Sequence, residues 1–231
     1  VVIVRVPRKE SIVKVRSHCE NCGYQLKWFD LIPIFSYLVL GGKCRKCKTK
    51  ISAQHLILEV LNGILYVFTF FIAGFSLKTV LLCLLFSALL ALSLIDFKTY
   101  EIPVGFQYVI FVLAVCRTIL DRTNWPEHVI GFFAVSVVLY LMYVISKGAA
   151  IGGGDVKLMA VCGLFVGWKL IIFAFLLGCI VGSVVHIIRM KLSGESHVLA
   201  MGPYLSIGVF VAALWGNQIL TWYWGILGIT L

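Results

Sequence analysis

Acidic side chains are scarce in this chain. Ten Asp and Glu stand against 20 Lys and Arg in 231 residues, and charged residues of both signs make up only 13%. A soluble domain carries about 25% charged residues and roughly 45–50% apolar ones. Here 61% of residues are hydrophobic and the mean hydropathy is +1.02, which excludes an ordinary soluble domain. Absent as well are an initiating Met, a signal-peptide pattern and a local nucleotide-binding fingerprint. The opening Val-Val-Ile-Val-Arg reads as the end of an apolar segment, so a further N-terminal span is expected ahead of it. The net charge of +10 would suit a nucleic-acid partner, but 11 of the 20 cations crowd into residues 1–54. A basic loop beside membrane spans is what the positive-inside rule expects, and no nucleic-acid partner is inferred.

What remains is a chain for the lipid bilayer. Residues 1–54 form a basic, cysteine-bearing module with an apolar stretch, Leu31–Leu40, inside it. Apolar runs follow at 56–75, 77–95, 104–120, 128–146, 156–167, 170–188 and 203–220. Only helices satisfy their own backbone groups in lipid as single segments, so these runs are expected to be helical. The fold class is an all-α polytopic membrane protein of about seven transmembrane helices over residues 55–231, behind a small cytoplasmic four-cysteine module. The run at 156–167 is too short to cross about 30 Å of hydrocarbon at roughly 1.5 Å per residue. With the module in the cytoplasm, Lys98, Lys147, Lys157, Arg189 and Lys191 join it on the same side. Only Lys78, Arg117, Arg122 and Lys169 are left outside, a strong orientation signal. Trp215, Trp222 and Trp224 fit an interfacial aromatic belt.

Two aspartates sit where such a chain least tolerates charge. Asp96 closes the run that begins at Leu77, and Asp155 follows Gly152-Gly153-Gly154 at the head of another run. Ionisable residues at a membrane span usually mark function. With two crossings between them, both carboxylates fall on the cytoplasmic side and can meet. A close pair shares one proton. The ionised member activates a water while the protonated one polarises a carbonyl, the chemistry of an aspartic protease, with no Ser or Cys nucleophile and no metal. Gly152, Gly153 and Gly154 allow close backbone approach, with Gly152 and Gly154 the glycines of the Gly-x-Gly-Asp pattern, and Pro103 opens the helix after Asp96. The bland alternative makes Asp96 a helix-terminal acid beside Lys98 and Asp155 an N-cap.

Cys19-x2-Cys22, then 21 residues, then Cys44-x2-Cys47 is a paired-knuckle spacing that offers four thiolates to one tetrahedral ion. Structural zinc is the expectation, with iron possible on ligand softness. Disulfides suit a reducing cytoplasm poorly. Cys83, Cys116, Cys162 and Cys179 lie in apolar runs and read as small hydrophobes.

Asp96 with Ile102-Pro103, followed by Gly152-Gly153-Gly154-Asp155, resembles the type IV prepilin peptidase family of Gly-x-Gly-Asp intramembrane aspartyl proteases. Val1–Pro7, Leu31-Ile32-Pro33, Ile51-Ser52 with Glu59 and Gly63, and Gly202-Pro203-Tyr204-Leu205 are similar to further segments of that family. Val104 and Gln54-His55-Leu56 depart from its commoner residues. The resemblance implies Asp96 and Asp155 as the catalytic pair. It implies cleavage of the basic leader from prepilin or pseudopilin substrates at the cytoplasmic face of the bacterial inner membrane. Through the four cysteines, it also implies S-adenosylmethionine-dependent N-methylation of the new N-terminus. Glu59 is the candidate to orient a cationic amine or sulfonium in that second step. Other readings stay open: a preflagellin or presenilin-like peptidase, a membrane-bound metal sensor or scaffold with structural aspartates, and a transporter, which would lack an apparent inverted repeat.

Overall fold

The computed structural model describes residues 17–19, 21–32, 34–149, 151–193 and 199–226. The expectations placed on Val1–Pro7 and Pro33 lie outside them. Among the described residues there is no β-strand, only the bridges His18–Gln25 and Lys43–Lys50. In the described residues a 3-10 turn at Trp28–Leu31 is followed by nine helices: α1 Phe35–Val39, α2 Ala53–Ala73, α3 Leu77–Thr99, α4 Val104–Leu120, α5 Trp125–Ala134, α6 Ser136–Ile145, α7 Gly153–Val166, α8 Trp168–Ser193 and α9 Gly202–Ile226. The chain divides into two compact units, Val1–Phe71 and Ile72–Leu231. The boundary expected after residue 54 coincides instead with the start of α2. Division by polarity thus ends the first module where its helix begins, and division by packing keeps that helix with it.

Among the described residues five segments are long and apolar enough to cross a membrane: Leu56–Ala73, Leu77–Thr99, Trp125–Ile145, Trp168–Leu192 and Gly202–Ile226. The third is the α5–α6 pair, read by sequence as one run but broken at Val135. There the Ser136 hydroxyl bonds back to the Phe132 carbonyl, a habit of Ser in apolar helices that bends them. α4 has 17 residues and α7 only 14. α7 is short because protein, not lipid, surrounds it. It packs against α4, α5, α6, α8 and α9, and every residue from Leu158 to Phe165 is buried.

The packing of the second unit depends on small residues, as it must where lipid is as apolar as the side chains. Gly131 of α5 and Gly163 of α7 meet backbone to backbone, each standing against the other's carbonyl. Gly208 of α9 abuts the Ala174 carbonyl of α8, and Gly178 and Gly182 of α8 lie against Tyr204 and Leu205. Around these crossings Leu85, Leu92, Ile110, Leu158, Met159, Phe165, Ile171, Leu205 and Val209 form the buried core.

The two ends of this bundle carry different charge. At one end Asp121, the C-cap of α4, lies 3.3 Å from Arg117, 3.6 Å from Lys78 and 3.7 Å from His128 Nε2. Desolvation opposes its charge, but Lys78, Arg117 and His128 outweigh it and hold the carboxyl below its ordinary range. Lys169 pairs with Glu127 at 3.5 Å. Three of the four cations expected on one face thus meet acids there. Asp96 ends α3 and Asp155 begins α7, so both aspartates belong to the opposite end, where Arg189 lies over the Phe97 ring.

Replacing Gly163 by Val inserts branched carbon where two backbones touch. Overpacking of this kind costs about 1–3 kcal/mol or more. The expected outcome is a clear drop in the unfolding temperature in detergent, with Gly225→Val, a position with open space around it, as the unaffected control.

Candidate functional site

The second unit brings Asp96 and Asp155 together, although 58 residues separate them in sequence. Asp96 lies in the last turn of α3, and its carbonyl accepts the Tyr100 N–H at 2.8 Å as the helix closes on a left-handed Tyr100. Only 4% of Asp96 is exposed. A helix C-terminus is an unfavourable place for a carboxylate, so compensation has to come from elsewhere. It comes from α9. The Met201 carbonyl accepts the Tyr204 and Leu205 N–H groups, which puts Gly202 and Pro203 in the first turn. First-turn N–H groups lack partners inside their helix. The Gly202 N–H donates to Asp96 Oδ2 at 2.9 Å, and Pro203 has no N–H to leave unsatisfied. A Cβ at Gly202 would stand 2.7 Å from that same oxygen. The late Gly-Pro pair, read from sequence only as a similarity, is thus the seat of one carboxylate.

Asp155 is not an N-cap. Gly152 holds that position and Asp155 is the third residue of α7, where its carboxylate takes the Gly152 backbone N–H and its own N–H donates to the Gly152 carbonyl at 3.1 Å. The helix N-terminus favours a negative charge there. Asp155 Oδ1 is buried and has no hydrogen-bond partner among the described residues. The two carboxyl groups are close enough to act on one another electrostatically. Native proteins seldom leave a buried acceptor unsatisfied, and functional sites are where they do.

The three glycines before Asp155 are not equivalent. A Cβ on Gly154 would lie 2.9 Å from Ile102 Cβ, and one on Gly152 would lie 3.1 Å from Asp155 Oδ2. One on Gly153 would meet only the Tyr143 ring at 3.6 Å, an ordinary contact. Ile102 therefore packs on the glycine run, and Pro103 is the N-cap of α4, its carbonyl accepting the Phe106 N–H. One turn on, the buried Gln107 donates to the Gly154 carbonyl at 3.2 Å. Gln107 went unremarked in the sequence, yet an amide inside an apolar run was the signal that could have marked it.

In the first unit the four cysteines converge. Their sulfurs all lie within 4.8 Å of one another, with Cys19 to Cys47 at 3.7 Å and Cys22 to Cys44 at 3.9 Å. None is in a disulfide. Tetrahedral zinc with bonds of about 2.3 Å requires sulfurs about 3.8 Å apart, so the donor set fits. Thr49, first through its hydroxyl 3.2 Å from Cys47 Sγ and then through its backbone, brings the Cys47 thiol down to about 5. The Tyr24 backbone favours the Cys22 thiolate, but desolvation and the neighbouring sulfurs outweigh it and push that thiol up to about 11. Such a cluster releases its remaining protons to a cation. Asp30, also missed in the sequence, fastens the arrangement. It is buried, takes Arg45 Nε at 2.9 Å from between the second pair of cysteines, and caps its own turn at the Lys27 N–H.

Glu59 Oε2 accepts the Ile34 backbone N–H at 2.8 Å. Ile34 has φ of 63°, so this bond holds a strained turn.

Residues 1–73 match the family model of the bacterial peptidase A24 N-terminal domain, and residues 83–187 that of the type IV leader peptidase family. Prepilin leader peptidase/N-methyltransferase from Stutzerimonas stutzeri is 32% identical over 215 residues, covering 90% of this chain and 74% of that protein. Its namesake from Pseudomonas aeruginosa is 31% identical over 221 residues, covering 92% and 76%. The one from Pseudomonas putida is 30% identical over 212 residues, covering 88% and 73%. No solved structure matches.

Alanine at Gly154 is expected to lower peptide cleavage and thermal stability together, and alanine at Gly152 to lower cleavage by displacing Asp155. Alanine at Gly153 should be neutral, or stabilising by about 0.4–1 kcal/mol through the unfolded chain. Parallel cleavage assays and melting curves on the three variants check the order.

Proposed function

The chain belongs to the type IV leader peptidase family, and we propose that it is a membrane aspartyl endopeptidase that removes the basic leader from prepilins or pseudopilins. The observation that carries this reading is the meeting of Asp96 and Asp155, one seated on the Gly202 N–H and the other with a buried, unpartnered Oδ1. In the proposed reaction Asp155 holds the shared proton on Oδ1 and gives it to the scissile carbonyl oxygen. Asp96 takes a proton from water as the water oxygen bonds to the carbonyl carbon. Collapse of the gem-diol then breaks the C–N bond, with Asp96 protonating the leaving amine and Asp155 recovering a proton from the diol. Preorganised donors such as Gly202 keep the base aimed without reorganisation during the reaction.

We place the enzyme as a multi-pass protein of the bacterial inner membrane, with the carboxylates and the metal module on the cytoplasmic side. The cations at residues 98, 157, 189 and 191 support that orientation. The seven crossings read from the sequence would require α4 and α7 to count as spans beside the five long ones. Cys19, Cys22, Cys44 and Cys47 would hold a structural zinc ion. Methylation of the new N-terminus, which the relatives' names carry, is the proposed second activity. For S-adenosylmethionine chemistry Glu59 is the residue proposed to orient the cationic amine or sulfonium, one of its carboxylate oxygens accepting the Ile34 N–H.

Purified wild-type protein in lipid should cleave a prepilin, and Asp96→Asn and Asp155→Asn should each slow it about 10²–10⁴-fold or more while retaining the melting behaviour of the wild type. Cleavage undiminished in both folded variants would end the dyad reading and favour a metal-sensing or scaffold role. Separately, metal analysis should find one ion per chain, zinc rather than iron, and Cys44→Ser should lose it. A full metal content in that variant would remove the four-thiolate site.

A further inference from the structure

The apolar stretch inside the cysteine module has no place in the peptidase reading, and the structure leaves it uncovered. Trp28, Phe35, Leu38 and Val39 are 78%, 69%, 63% and 80% exposed, and Leu31 and Ile32 beside them are exposed too. Exposed apolar surface on this scale marks an interaction site rather than a packing accident. Its neighbours are cations: Lys27 and Arg45 lie over the Phe29 ring, and Lys43, Lys46, Lys48 and Lys50 are exposed along the second cysteine knuckle.

A hydrogen bond ties this patch to α2. Ile34, the residue before α1, is bonded to Glu59, and Glu59 lies inside the apolar window Leu56–Ala73 that is long enough to cross a membrane. Tyr37 adds a second tie, its hydroxyl donating to the Ile51 carbonyl at 3.3 Å just before α2 begins. The patch is therefore fastened beside the first turns of an apolar helix long enough to cross a membrane, whose own side chains, among them Ile64, Val67 and Phe71, are exposed. Apolar residues with a Trp at one end and Lys and Arg around them are what the headgroup region of an anionic bilayer accepts.

We propose that Trp28–Ile32 and Ile34–Val39 lie in the membrane interface and insert their apolar side chains among anionic lipids, with Glu59 as the pin that sets their depth. Glu59 is then a positioning residue for the module, one of its carboxylate oxygens accepting the Ile34 N–H. The placement rests on the membrane character of the chain and is independent of the peptidase chemistry.

The test uses the whole chain in nanodiscs of phosphatidylcholine with phosphatidylglycerol. The photoreactive residue benzoylphenylalanine is placed singly at Phe35, Val39, Phe71 or Thr49. Phe71, exposed on α2, is the lipid-facing reference the membrane reading expects, and Thr49 is an exposed position on the cysteine knuckle. Lipid adducts at Phe35 and Val39 comparable to those at Phe71, several-fold above Thr49 and reduced in discs without phosphatidylglycerol, are the expected result. Adducts at Phe71 with none at Phe35 or Val39 would overturn the proposal. So would adducts at those positions only to protein, whether to this chain or to an added prepilin. Absence at Phe71 as well would overturn it together with the membrane reading. A further arm uses Glu59→Ala, expected to lower the Phe35 adduct yield, while Glu59→Gln, which still accepts from Ile34, restores it. Equal yields in both variants would remove Glu59 as the pin.

Discussion

Two carboxyl groups held together inside an apolar bundle repel each other and have lost their water, and the rest of the second unit is arranged around that difficulty. Each aspartate is given a helix N-terminus. Asp155 uses the start of its own α7, with Gly152 at the cap; Asp96, stranded at the wrong end of α3, borrows the start of α9 through Gly202. Fixed backbone donors of this sort stabilise charge in a low dielectric without moving. They also require that three helix ends arrive at one place.

That convergence explains where the small residues fall. Gly131 against Gly163 fixes α5 on α7, and Gly178, Gly182 and Gly208 fix α8 on α9. In lipid these contacts have little hydrophobic driving force to help them, so close backbone approach and dispersion must suffice. The central α7 can be 14 residues long because its neighbours cover it, and its brevity is what lets Asp155 start the helix at the level where α3 ends. A longer α7 would carry one aspartate past the other. The Asp121 cluster at the far end is consistent with the same helix registers, since Lys78 begins α3 while Arg117 ends α4.

The aspartates, the cysteine spacing and the apolar runs were legible in the sequence because each violates the composition around it. A carboxylate in an apolar chain and a thiol pair at fixed spacing are rare events with few physical uses. What supports them was not legible, because it is made of backbone. Nothing in the letters Gly202-Pro203 says that an N–H is aimed at residue 96, and nothing marks Gly154 rather than Gly153 as the position pressed by Ile102. Gln107 and Asp30 are intermediate cases. Both are polar residues whose partners, a carbonyl 47 residues on and an arginine 15 residues on, become visible only once the chain has folded. Likewise the run at 128–146 gave one helix by hydropathy, and the break at Val135 is a backbone event that hydropathy does not record.

The first unit faces the opposite problem. Between residues 17 and 52 the only buried side chains described are those of Asp30 and Cys44, so no hydrophobic core is available to hold that segment. Its large apolar side chains point outward instead. A module built this way has two sources of order, the ion its four sulfurs are spaced to take and the surface on which its apolar side chains rest. The Asp30–Arg45 pair links the two, joining the turn that carries Trp28 to the knuckle that carries Cys44 and Cys47. Loss of the metal would loosen the exposed turn through that pair, and loss of the lipid surface would leave the metal site intact but unanchored. An ion at that site would therefore govern folding of the module and the bilayer its placement, and neither would substitute for the other.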